Sequence, residues 1–427
     1  MVKGTRDTAD TTRSEPTPPG AGAGRPHRGR AVARAAERAI AYLRRKLRAG
    51  ELGSLPVVLV LAAVWITFQS LNSNFLSPRN LSNLSVDIVG TGLIAVGIVF
   101  VLLLGELDLS VGSISGLAAA AFAVLNVNHG VPEWLAVIIA VLAGTLAGTV
   151  QGFSVARTRV PAFVVTLAGL LTWNGLMLYI LGTSGTVNLD ENGLVAKLTS
   201  YYFTNDAAAY GLAAIASGMV FLVSYQDMRR RKAVGMPHRS LRWITVRTGV
   251  VAVVAFAAAY LLNRFQGLPL ALLIFLVMVA GLDVLLRRTH YGRQVYALGG
   301  SMEAARRASL SVTRVQTAVL AVSGTMAAIG GLFLASRITS VSQGSGSGVL
   351  LVNAIAAAVI GGTSLFGGRG TTWSAVLGML IIQSIASGMA ITDTPTAVQF
   401  IITGGVLFAA VLIDSLSRRS QQARGRA

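Results

Sequence analysis

Cysteine does not occur in this 427-residue chain, and charge is scarce. The first absence excludes disulfides and thiolate metal sites. The second excludes most soluble folds, because only 12% of residues are charged where about 25% is usual. Acids are fewer still, 17 against 36 Lys and Arg. Lysine occurs four times, as Lys3, Lys46, Lys197 and Lys232. None lies in the G-x-x-x-x-G-K-[ST] cradle that holds nucleotide phosphates, so hydrolysis must come from another chain. The glycine-rich run GGTSLFGGRG at 361–370 lacks that lysine and reads as tight inter-helix turns. The four histidines, His27, His129, His238 and His290, are scattered, and no metal site is expected. No cleavable signal is expected either, since the first apolar run begins near Leu55.

What the chain does contain is long apolar runs. Hydrophobic residues make up 53% and the mean hydropathy is +0.65. A span needs about 20 apolar residues, and twelve candidates follow one another: 55–71, 83–104, 111–127, 133–155, 161–182, 207–224, 245–262, 268–286, 315–335, 350–362, 372–390 and 396–414. The expected fold is all-α, a polytopic integral membrane protein with about twelve transmembrane helices and both termini cytoplasmic. Forty-seven glycines suit close helix packing in lipid. The tenth run is short and ends in Gly361-Gly362, which predicts a broken or re-entrant helix.

The formal charge of +19 invites a nucleic-acid partner, but its distribution speaks against one. With the N-terminus inside, 32 of the 36 basic residues fall on the inner side. Only Arg79, Lys197, Arg264 and Arg337 remain outside, as membrane orientation requires. Residues 1–30 read as a disordered basic cytoplasmic tail. Residues 31–50 place Val32, Ala36, Ile40, Leu43 and Leu47 on one helical face with Arg34, Arg38, Arg45 and Arg48 around it. That basic amphipathic helix suits either the anionic inner leaflet or a partner protein. Residues 51–415 form the transmembrane domain, and 416–427 a second basic tail.

Two polar interruptions stand out. Arg287–Arg314 (RRTHYGRQVYALGGSMEAARRASLSVTR) carries six arginines between two apolar runs. Its spacing predicts a helix over Met302–Val312, with Ser301 as N-cap and Glu303 in the first turn. Glu303 and Arg306 at i, i+3 steady it, and Arg306 and Arg307 offer forked donors to a partner's carboxylates. The segment reads either as an ordinary positive-inside loop or as a surface that grips another protein. The second interruption is Gly105-Glu106-Leu107-Asp108-Leu109-Ser110-Val111-Gly112. Asp108 and Ser110 there are expected to cap the third span, with gating or a partner contact as the other reading. Asp87 and Asp283, near or within spans, are expected to be paired or interfacial.

GELDLSVGSISG resembles the Gly-Gly-x-Asp-Leu-Ser-Val-Gly signature of bacterial ATP-binding-cassette sugar permeases, the ribose and xylose group. YGRQVYALGGSMEAARRASLSV is similar to the same family's loop motif, with Tyr291, Gly292, Arg293, Tyr296, Ala297, Gly299, Gly300, Glu303, Ala304, Ala305 and Arg306 on the pattern. The likeness runs from about 55 to 415 and includes VPAFVVTLAGL and AVIGGTSLFGGRG. Glu106 replaces a small or apolar residue, Ser301 stands for Asn, and Ser309-Leu310 replaces Gly-Ile. Two extra spans and the basic loop 225–242 make the layout more like the xylose branch, with ten family spans plus two inserted.

The resemblance implies a homodimer in the bacterial inner membrane forming one sugar path. It also implies ATP used by a cytoplasmic ATP-binding subunit docked on the loop helix, and an extracytoplasmic binding protein that delivers sugar. No cofactor is expected on this chain itself. Gly105, Asp108, Ser110 and Gly112 would form the signature turn. A sugar path needs hydrogen-bonding groups without fixed charge. Trp173, Asn174, Asn353 and Gln383 with Ser384 are the candidates, and each reads more readily as an interhelical hydrogen bond than as a ligand contact. Ribose is the alternative sugar. A proton-coupled carrier would require an ionisable group well inside the bilayer, and a membrane enzyme would require reactive groups gathered at one depth.

Overall fold

The computed structural model describes residues 55–158 and 160–422. The amphipathic helix expected over 31–50, the tail 1–30 and the last five residues lie outside the described residues. A helix occupies each of the twelve apolar runs: α1 (Leu55–Leu71), α2 (Pro78–Leu103), α3 (Val111–Ala123), α4 (Glu133–Thr158), α5 (Ala162–Leu181), and, after the short α6 (Leu194–Ser200), α7 (Asp206–Ala233), α8 (Leu241–Asn263) and α9 (Leu270–Arg288). Two short helices follow, α10 (His290–Gly300) and α11 (Met302–Arg307), then α12 (Val312–Ile338), α13 (Gly348–Ile360), α14 (Thr372–Ile391) and α15 (Thr396–Gln422). Among the described residues, nine of these are long and apolar enough to cross a membrane.

Local chemistry sets the boundaries. Ser77 precedes Pro78 and its Oγ accepts from Asn80 N at 3.3 Å, so α2 starts on a side-chain cap followed by a proline with no N–H to satisfy. Asn205 and Ser240 cap α7 and α8 in the same way. The carboxylate of Glu133, opening α4, accepts from the amides of Leu194 and Val195 and so caps α6 from another element. At that end of the bundle Thr186–Asn188 pairs antiparallel with Ser340–Ser342, and Tyr202–Phe203 with Leu268–Pro269.

The core is built around α12. On one side Gly144, Gly148 and Gly152 of α4, each one turn apart, lie against Leu320, Gly324 and Thr317 of α12. A Cβ at Gly148 would strike the Leu320 carbonyl, which is how small residues bring two backbones into contact. On another side Gly90 and Gly97 of α2 meet Leu334 and Ser323 of α12. The acids near the membrane edges are paired as expected, Asp87 with Arg337 and Asp283 with Arg287, both at 2.8 Å.

The short tenth run is α13, whose 13 residues reach only about 20 Å at 1.5 Å per residue, less than the ~30 Å hydrocarbon core. It has a counterpart in α3, also 13 residues, which continues into a widened π-type turn, Val124–Asn128. Gly112 and Gly116 of α3 press on the carbonyls of Gly346 and Ser345, just before α13 begins. The first turn of α3 and the start of α13 therefore lie side by side.

Candidate functional site: a buried polar break and a charged turn

Between α2 and α3 the chain does not simply turn at the bundle's end. Glu106 Oε1 accepts from Gln316 Nε2 at 2.6 Å, one turn into α12. Asp108 Oδ2 accepts from Ser323 Oγ at 2.8 Å, eleven positions into α12, or about 16 Å along it. Gly105–Ser110 thus re-enters the bundle as a non-helical segment, and α3 begins inside. Asp108 is 1% exposed and takes three donors: the Ser323 hydroxyl, the Ser110 hydroxyl at 2.6 Å and the Ser110 amide at 3.0 Å.

This corrects the expected cap. Asp108 binds Ser110 itself rather than the first-turn amides of α3, and Ser110 makes no side-chain cap bond. The reason is depth, because a carboxylate taken this far from water needs its own donors before it can serve a helix end.

Around this core the hydrogen bonds extend to α4 and α5. The Ser110 hydroxyl also lies 2.9 Å from Gln151 Oε1, but it has one hydrogen, already directed at Asp108. Gln151 Nε2 and Trp173 Nε1 are both buried without an acceptor, and both crowd the position where Gly169 would carry a Cβ. Turning the Gln151 amide over resolves all three conflicts, with Nε2 donating to Ser110 and the carbonyl presented to the Trp173 indole. Thr166 Oγ1 of α5 accepts from Leu109 N at 3.1 Å, holding the same segment from the other side. Gln151 carried no motif, and its side-chain amide in an apolar helix was the one signal available.

The second element is the loop Thr289–Ser311. Thr289 caps α10 by accepting from Gly292 N at 3.2 Å while donating to Leu285 O at 2.6 Å. Gly292, Val295 and Leu298 form its buried face. Gly292 lies where any side chain would meet the Leu286 carbonyl, and Gly299 where one would meet the Leu103 carbonyl. Gly300 has open space around it. Tyr296 donates its hydroxyl to Gly370 O at 2.8 Å, and Gly368 N donates to Leu103 O at 2.9 Å. Burial pushes the Tyr291 hydroxyl well above the usual tyrosine range, so it stays neutral against the core. The loop helix α10, the turn at Gly105 and the glycine-rich turn 361–370 therefore meet at one junction.

The charged turn α11 projects from this junction. Ser301 Oγ accepts from Ala304 N at 3.3 Å, the expected N-cap. The helix is shorter than expected, ending at Arg307, because Ser309 takes φ 57° and Leu310 N returns to Ala305 O at 3.1 Å. Ala305 is buried and anchors the turn. Arg307, rather than Arg306, approaches Glu303, at 3.8 Å, with side chains 82% and 86% exposed. A pair so exposed contributes at most about 1 kcal/mol, so these charges are presented, not consumed. Arg293 lies on the exposed side of α10, and Ala304 on that of α11.

A cavity of about 200 Å³ lies where α3, α12 and the loop before α13 meet, lined by Ser115, Gly116, Gly331, Ser345, Ser347 and Leu350 among others. Trp173, Asn174, Asn353 and Gln383 do not line it. Ser384 receives the Trp65 indole N–H at 2.9 Å, the interhelical use weighed for it.

These features describe a predominantly helical, multi-pass membrane protein with a polar break in its centre and a charged turn at one end. Residues 80–411 match the family described as branched-chain amino acid transport system / permease component. The chain belongs to that permease family, within the group that holds the ribose and xylose permeases of ATP-binding-cassette systems. It is 37% identical over 365 residues to the xylose transport system permease protein XylH of Escherichia coli (strain K12), covering 85% of this chain and 90% of that protein. The corresponding protein of Haemophilus influenzae is 36% identical, over 85% of this chain and 96% of its own length. The ribose import permease protein RbsC of Bacillus subtilis is 30% identical, over 81% and 87%. No solved structure matches.

Proposed function

We propose that this chain is the membrane subunit of an ATP-binding-cassette importer for a monosaccharide, a pentose of the xylose type, with ribose as the alternative. Its twelve or so apolar helices lie in the bacterial inner membrane, α13 as a half-length helix, with both termini inside; the chain pairs with a second copy and receives sugar from an extracytoplasmic binding protein. It hydrolyses no ATP; a cytoplasmic partner does, and the work enters through α11. The observation that carries this reading is the junction at Gly299. A turn bearing Glu303, Arg306 and Arg307 in water sits on a base wedged against Leu103 and Gly368. Displacing α11 therefore displaces the end of α2, the start of the buried break and the turn before α14 together. Alternating access follows if that movement opens one end of the path while closing the other. The cavity at Ser115, Ser345 and Ser347, lined mainly by apolar groups with these hydroxyls among them and no charged side chain, suits a neutral sugar in passage.

Charge reversal tests the coupling. Glu303→Lys and Arg306→Glu should each reduce uptake by tenfold or more and weaken co-purification of the ATP-binding subunit, with membrane insertion unchanged. Wild-type uptake in both would remove α11 from the mechanism.

Asp108 favours one further reading, since a fully buried carboxylate is what a proton-coupled carrier needs. Its three donors argue for a structural role. Uptake that survives ATP depletion and collapses with a protonophore would reverse that judgement.

A further inference from the structure

The inserted pair α7 and α8 ends in a cluster of cations that the transport reading does not use. Arg229–Lys232 close α7, Arg239, Arg242 and Arg247 open α8, and Arg287 and Arg288 close the neighbouring α9. The acids nearby are already engaged: Asp227 holds Arg231 at 3.0 Å and Asp283 holds the Nε of Arg287 at 2.8 Å. Among the described residues, Arg229, Arg230, Lys232, Arg239, Arg242 and Arg247 have no carboxylate within ion-pair distance. Within this group two guanidiniums converge on one side chain, and the Arg287 charge lies near them. Arg239 and Arg247 both lie over one indole, with Cζ atoms 4.1 and 5.7 Å from the Trp243 ring centre. Like charges gathered from two elements are unfavourable unless an anion joins them.

The setting identifies the anion's carrier. Leu241, Val246 and Val250, interleaved with these arginines, are 49, 67 and 61% exposed, so the cluster straddles an apolar face and water. Trp and Arg at that boundary mark the headgroup layer. A free cytoplasmic anion or an acidic protein would meet the charges but not the apolar flank. We propose that the phosphate of an anionic phospholipid seats between Arg239, Arg247 and Arg287, its acyl chains along the apolar side of α8. It would join the inserted pair to α9, where forked guanidinium donors suit phosphate oxygens.

The test uses the purified full chain. Unfolding temperature and bound-lipid count by native mass spectrometry are measured in mixed micelles with phosphatidylglycerol, with phosphatidylcholine, and with inorganic phosphate. Three double variants accompany the wild type: R239Q/R247Q, the charge-retaining R239K/R247K, and R229Q/R230Q, which removes equal charge from the end of α7. Phosphatidylglycerol should raise the unfolding temperature and add at least one bound lipid per chain. R239Q/R247Q should lose most of that shift, R239K/R247K about half, and R229Q/R230Q little. An equal loss in both glutamine variants would reduce the site to diffuse attraction and overturn the proposal. An equal response to phosphatidylcholine or to inorganic phosphate would overturn the lipid assignment. Loss of the co-purified ATP-binding subunit in R239Q/R247Q, with the lipid response intact, would assign the cluster to a protein partner instead.

Discussion

α2 and the pair α7–α8 are alike in apolarity and opposite in use. Their most apolar stretches have mean hydropathies of 2.5, 1.8 and 1.9. Yet 94% of that stretch is buried in α2, against 17% in α7 and 11% in α8. What separates them is where small residues face. Gly90, Gly92 and Gly97 of α2 each lie where a Cβ would press on Leu334, Phe275 or Ser323, whereas Gly211, Gly218 and Gly249 of the pair have nothing within 4 Å. In lipid the hydrophobic effect does not draw helices together, so close backbone approach decides which of them form a core. The core holds the buried polar break; the inserted pair leaves most of its apolar surface outside the fold.

The sharpest way to break this contrast is to put equal bulk into both regions. Gly148→Val drives a side chain into the Leu320 carbonyl and should cost about 3 kcal/mol or more, so that little folded protein survives extraction. Gly249→Val enters open space on α8 and should leave the yield and unfolding temperature in detergent nearly unchanged. Equal damage from the two would mean that α8 is packed against something as closely as α4 is.

The acids give a second, smaller contrast. Asp108→Ala leaves the Ser110 and Ser323 hydroxyls and the Ser110 amide without their acceptor in a dry site, where an orphaned polar group costs about 1–3 kcal/mol. A loss of about 2 kcal/mol in unfolding free energy and a tenfold or greater fall in uptake are expected, with Asp108→Asn milder because it keeps one acceptor. Asp227→Ala removes an α7 pair whose side chains are 52% and 60% exposed, and should cost about 0.5 kcal/mol or less. An Asp108→Ala protein that transports normally would make the polar break incidental.

The sequence made the helices legible because apolar length is a one-dimensional property, and the short tenth run announced itself through Gly361-Gly362. It did not reveal that Gly105–Ser110 turns back into the bundle. That depends on Ser323 and Gln151, which lie 215 and 41 positions from their partners Asp108 and Ser110 and look like ordinary small or polar residues in apolar helices. α10 was missed for a related reason. Its helix former content is modest, and it is held by Gly292 and Gly299 against other backbones, contacts that local propensity does not record. The motif residues of the loop were visible; that Arg307 would approach Glu303 while Arg306 stays outward was not, because both spacings share a helix face.

The smallest effect expected runs in the stabilising direction and concerns the one place where the loop motif departs from its relatives' glycine. Ser309 sits at φ 57°, a left-handed conformation that costs a side chain about 1–2 kcal/mol. It is held there by bonds from Ser309 N to Arg306 O at 3.0 Å and from Leu310 N to Ala305 O at 3.1 Å. Ser309→Gly should relieve that strain, partly offset by the greater freedom of glycine in the unfolded chain, for a net gain of about 0.5 kcal/mol. Because residue 309 follows α11 without belonging to its charged face, uptake should not fall. A lowered unfolding temperature would show instead that the serine hydroxyl holds the turn against its own backbone.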